Sequence, residues 1–291
     1  ITPLYYVEKH GQFFFSSTIS ALTNLDRKIR CLLPGHYMNS SLVQAPYFIP
    51  RLTIKIWRKH ELLEQIRQSL IESIALRVDT DLPVGVIYSG GIDSTIVLEL
   101  AARMHPDVIA FTIGMPESED FRYSRRFCRE KGIRQVIIPF GKKDACLDVV
   151  RDTIRKTELS EYLDIINAVI SLKLFKAIHR AGIKVVLGGD GSDELFAGYN
   201  MYAMINDTDL DELFINKLKN LHRTELQRVD RSGGAFSIET RVPFLDRRVV
   251  ELALSIGKEW KIKHGVEKWC LRKAFSGILP DYIIHRKINP L

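Results

Sequence analysis

The chain has 291 residues, of which 46% are hydrophobic and 26% are charged, and this composition is that of an ordinary globular protein and excludes global disorder. No apolar run reaches the roughly 18 residues that a membrane span needs, so no membrane partner is expected. The net charge of +7 comes from scattered Lys and Arg residues without a basic tail. It favours a phosphate-handling site, and a nucleic-acid partner is not expected.

The cysteines show neither zinc-binding spacing nor a disulfide framework. They lie far apart in the chain, at Cys31, Cys128, Cys146 and Cys270. We therefore predict reduced, buried thiols in a cytoplasmic protein.

Residues 1–50 are predicted to be β-rich. Aromatic segments at residues 4–8 and 12–16 indicate one hairpin, and residues 37–47 a second. The region is too small to form a core of its own. Because the chain opens inside an apparent strand, we expect both ends to continue in a longer parent chain.

From His60 onward, strands and helices alternate. The predicted elements are a helix of about 18 residues from His60, a strand over 83–88, a helix over 94–104, a strand over 108–113, a helix over 121–131, a strand over 135–138, a long helical stretch over 145–180 and a strand over 184–187. This order predicts an α/β fold with a doubly wound parallel sheet. Residues 210–275 are predicted to be helical, with loops at 231–240 and 258–265.

The turn after the first strand of this sheet is the strongest single motif. Residues 89–94 read Ser-Gly-Gly-Ile-Asp-Ser, between a buried strand and a helix. The pair Gly90 and Gly91 permits a close backbone approach to a ligand, and the helix N-terminus attracts an anion. An ordinary turn with a serine cap explains the glycines and Ser94 but not Asp93, which beside phosphates requires a divalent cation between them. The segment resembles the pyrophosphate loop of the N-type ATP pyrophosphatases.

A second strand–turn–helix unit carries acids. Gly188 and Gly189 follow the strand over 184–187, and Asp193 and Glu194 open the next helix. In a parallel sheet both turns lie at the carboxyl ends of strands, where ligands bind. Asp193 is therefore placed to share a metal ion with Asp93. Acids that merely favour a helix N-terminus leave the glycines unexplained.

Four ordered segments closely resemble the asparagine synthetase family. They are residues 189–199 (Gly-Asp-Gly-Ser-Asp-Glu-Leu-Phe-Ala-Gly-Tyr), residues 238–246 (Ile-Glu-Thr-Arg-Val-Pro-Phe-Leu-Asp), residues 267–275, and Leu279-Pro280 with Arg286-Lys287. The resemblance implies a synthetase domain of the ATP-pyrophosphatase type over residues 51–291, with a helical C-terminal part. It identifies residues 1–50 as the C-terminal remnant of a glutaminase-like domain of the N-terminal-nucleophile type.

By that resemblance the site residues fall into four groups. The pyrophosphate of ATP is held by Ser89, Gly90, Gly91, Asp93 and Ser94. The nucleotide is lined by Val86, Ile113, Gly188 and Gly189. Mg²⁺ is bound by Asp93 and Asp193. The catalytic residues are Lys287, which stabilises charge at the acyl-adenylate, Lys268, which contacts phosphate, and Asp190 near the incoming nitrogen.

Three further residues are predicted to hold the site residues in place without touching the substrate. They are Glu194, Glu239 and Arg241, the last two as an ion pair that can also be purely structural. Lys268 lies among packing residues such as Trp269 and Leu271, so a packing role is an equal alternative for it.

The resemblance implies a ligase that uses ATP and Mg²⁺ to adenylate a carboxylate and lets ammonia or an amine displace AMP. Asparagine synthesis from aspartate with glutamine-derived ammonia is the first hypothesis. The second is a tailoring enzyme of the same family, such as a β-lactam synthetase-like cyclase or a biosynthetic amidotransferase. Asp190 argues against a cyclase that uses tyrosine at this position. A non-catalytic relative is a third reading, which the acids and Lys287 oppose, and the oligomeric state, a homodimer included, stays open.

Overall fold

The structure is a computed structural model that describes residues 2–205 and 207–286. Its strands are β1 (Tyr5–Lys9), β2 (Gln12–Ser16), β3 (Arg30–Cys31), β4 (His36–Met38), β5 (Gln44–Pro46), β6 (Val84–Ile87), β7 (Val108–Gly114), β8 (Arg134–Pro139), β9 (Val185–Leu187) and β10 (Glu239–Arg241). Its α-helices are α1 (Lys59–Val78), α2 (Ile92–Met104), α3 (Glu119–Lys131), α4 (Leu147–Thr157), α5 (Tyr162–Arg180), α6 (Ser192–Phe196), α7 (Asp207–Asn220), α8 (Glu225–Gly234), α9 (Arg247–Ala253), α10 (Lys258–Lys261), α11 (Trp269–Ala274) and α12 (Asp281–Ile284). Short 3-10 turns cover Lys142–Asp144, Asn200–Met204, Leu221–Arg223 and Pro243–Leu245.

Five strands form one parallel sheet, which confirms the predicted α/β class. The spatial order is β10-β9-β6-β7-β8, with every neighbouring pair parallel. Val86 in β6 pairs with Leu187 on one side and Ala110 on the other. The chain therefore lays down β6, β7 and β8 in one direction and returns to place β9 on the other side of β6.

The sheet separates two buried cores. In β7, Val108 and Ala110 belong to the core that α1, α2 and α11 cover, whereas Ile109 and Phe111 belong to the core under α5 and α8. Successive residues of a strand point to opposite faces, so a central strand buried on both faces must be apolar throughout. This explains why β6 and β7 read in the sequence as unbroken apolar runs.

The return from β8 to β9 creates a switch point between β6 and β9. The loops that leave these two adjacent strands run in opposite directions, which opens a crevice at their carboxyl ends. The two glycine-bearing turns of the sequence flank this crevice. The fold thus brings residues 88–91 together with residues 188–191.

Several segments differ from the sequence predictions, and one of them is the predicted loop over 258–265, which contains α10. The predicted loop over 231–240 holds the end of α8 and the strand β10, which is too short and too charged to show an alternating pattern. The helical stretch over 145–180 breaks at Glu158, which adopts a left-handed conformation with φ of 53° and ends α4. After the predicted loop over 258–265, the helix α11 begins only at Trp269.

The N-terminal segment contains both predicted hairpins and lies against the α/β part. β1 pairs with β2 and β3, and β4 pairs with β5, all antiparallel. The Glu158 carboxylate accepts hydrogen bonds from the backbone N–H groups of Ile19 and Ser20, each at 2.8 Å, and Thr2 Oγ1 donates to Asp230. That residues 1–50 belong to a separate glutaminase-like unit stays a prediction.

Two further expectations concern cysteines and membranes. Cys128 and Cys270 are buried as predicted, but Cys31 and Cys146 are exposed because they lie in a short edge strand and a loop. Within residues 2–205 and 207–286, no helix is long and apolar enough to span a bilayer.

Candidate functional site

The turn between β6 and α2 leaves backbone N–H groups open to a ligand. Gly90 has a φ of +77°, and a Cβ there would lie 3.0 Å from the backbone nitrogen of Ser124. Ser94 Oγ accepts from the Ser89 N–H at 3.3 Å and lies 3.1 Å from Ser89 Oγ. No side chain caps α2, whose N-cap residue is Gly91. The free N–H groups of its first turn make an anion site at the switch point.

The turn after β9 packs against the start of α2. A Cβ at Gly189 would lie 3.2 Å from Asp93 Cβ and 3.3 Å from the Ser94 nitrogen. The Gly188 N–H donates to the Arg241 carbonyl at 2.9 Å, which fixes the turn to β10. Close contact between the two loops therefore requires a glycine at position 189.

Lys268 joins the two acidic loops. Its side chain is fully buried, and its Nζ lies 2.5 Å from Asp93 Oδ2 and 2.7 Å from Asp193 Oδ1. Ser192 Oγ donates to the other oxygen of Asp93 at 2.7 Å. The two acids predicted to share a metal ion thus both contact the ammonium group of Lys268.

The fold holds this ammonium in its charged form. Burial by itself lowers the pKa of Lys268, but the Asp93 and Asp193 carboxylates outweigh it and leave the pKa above its ordinary value. Lys268 has a φ of 53° at the start of α11. A side chain at Gly198 would overlap both the Asp193 carboxylate and the Lys268 stem.

A divalent cation fits this donor set when phosphate oxygens complete it. Within the described ranges, no group of three or more His, Cys, Asp or Glu side chains forms a metal cage. Asp93 and Asp193 nevertheless present oxygens within reach of a single cation. Mg²⁺ in nucleotide sites is held in this way, by one or two carboxylates plus phosphates and water.

Asp190, three residues before Asp193, lies near Arg228 of α8. Burial raises the pKa of its carboxyl group, and the Arg228 guanidinium opposes the rise. Arg228 Nη2 lies 3.9 Å from Asp190 Oδ1. Sequence reasoning missed Arg228, because an arginine on an amphipathic helix is indistinguishable from a solvated one. It also missed Ser192, although its place inside the acidic motif pointed to it.

Glu194 bonds within its own loop. Its Oε1 accepts a hydrogen bond from the Tyr199 hydroxyl at 2.6 Å, and burial raises the pKa of Glu194 to about 7. The pair fastens α6 to the segment that follows it. Among the described residues, Glu194 forms no hydrogen bond with Asp93 and no ion pair with Lys268.

Other predicted residues lie at the edge of the site or outside it. Val86 is fully buried in the core of α1 and α2, whereas Ile113 packs against the core on the opposite face. The structure does not bring these two together, and their adenine role stays a prediction. Arg241 donates to Glu239 Oε1 at 2.8 Å and to the Arg77 carbonyl at 2.7 Å, so this pair ties β10 to α1.

The last described residue, Arg286, lies beside the phosphate loop. Lys287 lies outside the described residues, and the preceding Arg286 is the last residue described. Arg286 forms an ion pair with Asp120 and lies 4.4 Å over the Tyr123 ring. A Cβ at Gly90 would lie 3.3 Å from Arg286 Nη1. This places the segment that leads to Lys287 beside the phosphate loop.

Comparison with known proteins agrees with this geometry. Residues 65–208 and 203–289 match the family model described as asparagine synthase. Asparagine synthetase [glutamine-hydrolyzing] 3 of Arabidopsis thaliana is 30% identical over 309 residues, covering 99% of this chain and 53% of that protein. Asparagine synthetase B [glutamine-hydrolyzing] of Escherichia coli is 29% identical, covering 99% of this chain and 55% of that protein. The chain spans about half the length of these relatives.

Proposed function

The chain belongs to the asparagine synthase family, and from this premise we propose that it is the synthetase part of an ATP-dependent amide-forming ligase. One observation carries the proposal. Asp93 and Asp193, from the two loops that flank the switch point, converge on one buried cation beside an uncapped helix N-terminus. A site of this kind suits a nucleotide polyphosphate with its metal ion.

The reaction has two group transfers. A carboxylate oxygen of the acyl substrate attacks the α-phosphorus of ATP, a new P–O bond forms, and the bond to the β-phosphate oxygen breaks to release pyrophosphate. The nitrogen of ammonia or an amine then attacks the acyl carbon. AMP leaves with the bonding electrons of the acyl C–O bond, and the nitrogen gives up its proton to a base.

The residues of the site can stabilise the negative charge that these two steps place on phosphate and acyl oxygens. The N–H groups of α2, with the Ser89 and Ser94 hydroxyls, bind phosphate oxygens. Mg²⁺, held by Asp93 and Asp193, would neutralise charge on the departing pyrophosphate. Lys268, which lies against both acids, would contact a phosphate oxygen of the bound nucleotide. Lys287 is proposed, by the family resemblance, to stabilise charge at the acyl-adenylate.

Aspartate is the proposed acyl substrate and glutamine-derived ammonia the proposed nitrogen source. The two relatives described above are named glutamine-hydrolyzing asparagine synthetases, and this chain matches about half of each. By the family resemblance, Asp190 is proposed to receive a proton from the incoming nitrogen. A glutaminase-like domain in the parent protein would supply the ammonia. A family tailoring enzyme that forms another amide is the alternative.

The test measures pyrophosphate release from ATP with a panel of carboxylic acids, with and without ammonia. We expect release with aspartate that depends on Mg²⁺, and asparagine as a product when ammonia is present. Asp93→Asn should reduce release at least 100-fold without loss of fold. The matched control is Asp107→Asn, at the exposed opposite end of the same sheet.

The outcomes separate the two candidates. Release with aspartate and asparagine formation support asparagine synthesis, whereas release only with a different acid supports the tailoring enzyme. A wild-type rate in Asp93→Asn would refute the assignment of the site. Repeating the assay with glutamine and the complete parent protein tests the glutaminase-like domain.

A further inference from the structure

Arg228 on α8 carries hydrogen-bond donors that the described residues leave largely unused. Its Nη1 donates to Ser171 Oγ at 3.1 Å. Its Nε is buried and finds no acceptor among the described side chains and backbone groups. Leaving a buried charged donor unpaired costs more than about 1–3 kcal/mol, so such a donor is expected where a ligand supplies the acceptor.

The position of Arg228 relates this donor to the reaction. Its Nη2 lies 3.9 Å from Asp190 Oδ1, which is too long for a hydrogen bond and leaves room for a bridging ligand atom or water. Asp190 follows Gly189, which touches Asp93. Arg228 is thus separated by one loop from Asp93, which is proposed to hold Mg²⁺ at the phosphates.

Two more acids share the surroundings of Arg228. Asp164 lies in the first turn of α5 and Glu225 in the first turn of α8. Burial and the charge of Glu225 raise the pKa of Asp164, and Arg228 opposes that rise. The Arg228 guanidinium thus acts on the carboxyl groups of both Asp164 and Asp190, and Glu225 is near enough to affect the same two acids. A ligand that offers only negative charge would be repelled here, whereas one that also carries an ammonium group fits.

We infer that Arg228 is a specificity-determining residue that binds the α-carboxylate of an amino-acid acyl substrate. Asp164 and Asp190 favour the α-ammonium group of the same substrate. The side-chain carboxyl group then points to the α-phosphate beside Asp93. The inference rests on the proposed function, because it assigns the acyl half of that reaction.

The first experiment uses the wild-type chain and tests the ligand. Pyrophosphate release is measured with L-aspartate and L-glutamate, with their α-amides, and with β-alanine and γ-aminobutyrate, which lack the α-carboxylate. We expect the best amino acid of the panel to have a kcat/KM roughly 10- to 100-fold above that of its α-amide, as expected for loss of a charged hydrogen-bond pair. Equal use of the acid and its amide would overturn the inference.

The second experiment tests the residue. Arg228→Gln should raise the KM for the amino acid about 10- to 100-fold, leave the KM for ATP unchanged and abolish the preference over the α-amide. Arg228→Lys keeps the charge and should recover part of that preference. The matched control is Arg223→Gln, an exposed arginine in the turn before α8. Melting curves check that each variant folds.

Each result decides one question. If Arg228→Gln slows all acids equally and retains the preference, Arg228 is structural and the inference is wrong. If Arg228→Gln does not fold, Arg228→Lys is used instead. A partial loss of its preference for the amino acid over the α-amide supports the inference, and an unchanged preference overturns it. If the wild-type chain releases no pyrophosphate with any acid, the proposed function fails and the inference falls with it.

Discussion

The ammonium of Lys268 lies 2.7 Å from Oδ1 of Asp193 and holds this acid beside Asp93. A buried cation between two carboxylates holds both side chains in place before the nucleotide arrives. The arrangement therefore preorganises the site electrostatically. It also predicts that a divalent cation and Lys268 compete for the same oxygens.

Replacing Lys268 with Met should leave two carboxylates facing each other. We expect the free energy of unfolding to fall by about 2 kcal/mol, less than the ~3–5 kcal/mol of fully buried pairs because the Asp193 side chain is 35% exposed. Added Mg²⁺ should raise the melting temperature of Lys268→Met more than that of the wild type. Lys273→Met, exposed on α11, is the control. An equal Mg²⁺ effect on both would contradict competition for these oxygens.

Gly198 should tolerate no side chain. In Gly198→Ala the new methyl group would overlap Asp193 and the Lys268 stem, so both must move. We expect at least a tenfold loss of pyrophosphate release and a loss of about 1–3 kcal/mol in the free energy of unfolding. Gly234→Ala is the control, since a Cβ there meets open space at the exposed end of α8. Similar behaviour of the two variants would show that the contact at Gly198 is unimportant.

Glu158→Gln should loosen the N-terminal segment. The Glu158 carboxylate accepts from the N–H groups of Ile19 and Ser20 and lies 3.2 Å from Arg231 Nη2. We expect limited trypsin digestion to remove residues 1–50 about fivefold faster, while the α/β part survives. Glu61→Gln, exposed on α1, provides the comparison. Unchanged digestion would mean that apolar contacts alone hold the segment.

The same attachment should depend on pH. Burial pushes the pKa of Glu158 upward, but hydrogen bonds from Ser20 and Ile19 and the Arg231 charge bring it below its ordinary value of 4.5. A carboxyl group with a lowered folded-state pKa stabilises above its unfolded pKa, and that stability is lost as the pH falls through the folded value. Digestion by an acid-active protease should therefore accelerate below about pH 4.5 in the wild type and change less in Glu158→Gln. Parallel pH profiles would refute the assignment.

The ion pair between Arg286 and Asp120 should contribute to ATP binding, and the effects of replacing the two residues should be coupled. Arg286 lies beside Gly90, and Asp120 in α3 holds its guanidinium. We expect Arg286→Gln and Asp120→Asn each to raise the KM for ATP, and the double variant to cost less than the sum of the singles. A coupling energy of roughly 0.5–3 kcal/mol, obtained from the four kcat/KM values, would support the pair. Strict additivity would show that the two act independently.

Much of the fold can be predicted from local sequence patterns. The apolar runs of β6 and β7 predict strands buried on both faces, and the structure confirms the parallel sheet. β10 was missed because three residues with charged ends carry no periodic signal, and only pairing with β9 makes them a strand. The helix break at Glu158 was missed because its left-handed backbone is fixed by contacts with a distant segment.

For the site, the sequence by itself determined the two glycine-bearing turns, since strand, glycine, acid and helix start are neighbours in the chain. It also placed Asp93 and Asp193 at one edge of the sheet. Only the tertiary structure decided the role of Lys268, whose sequence neighbours Trp269 and Leu271 favour packing equally well. It alone set Arg228 beside Asp190. Charges that face each other across the crevice come from distant parts of the chain, and no local pattern encodes their separation.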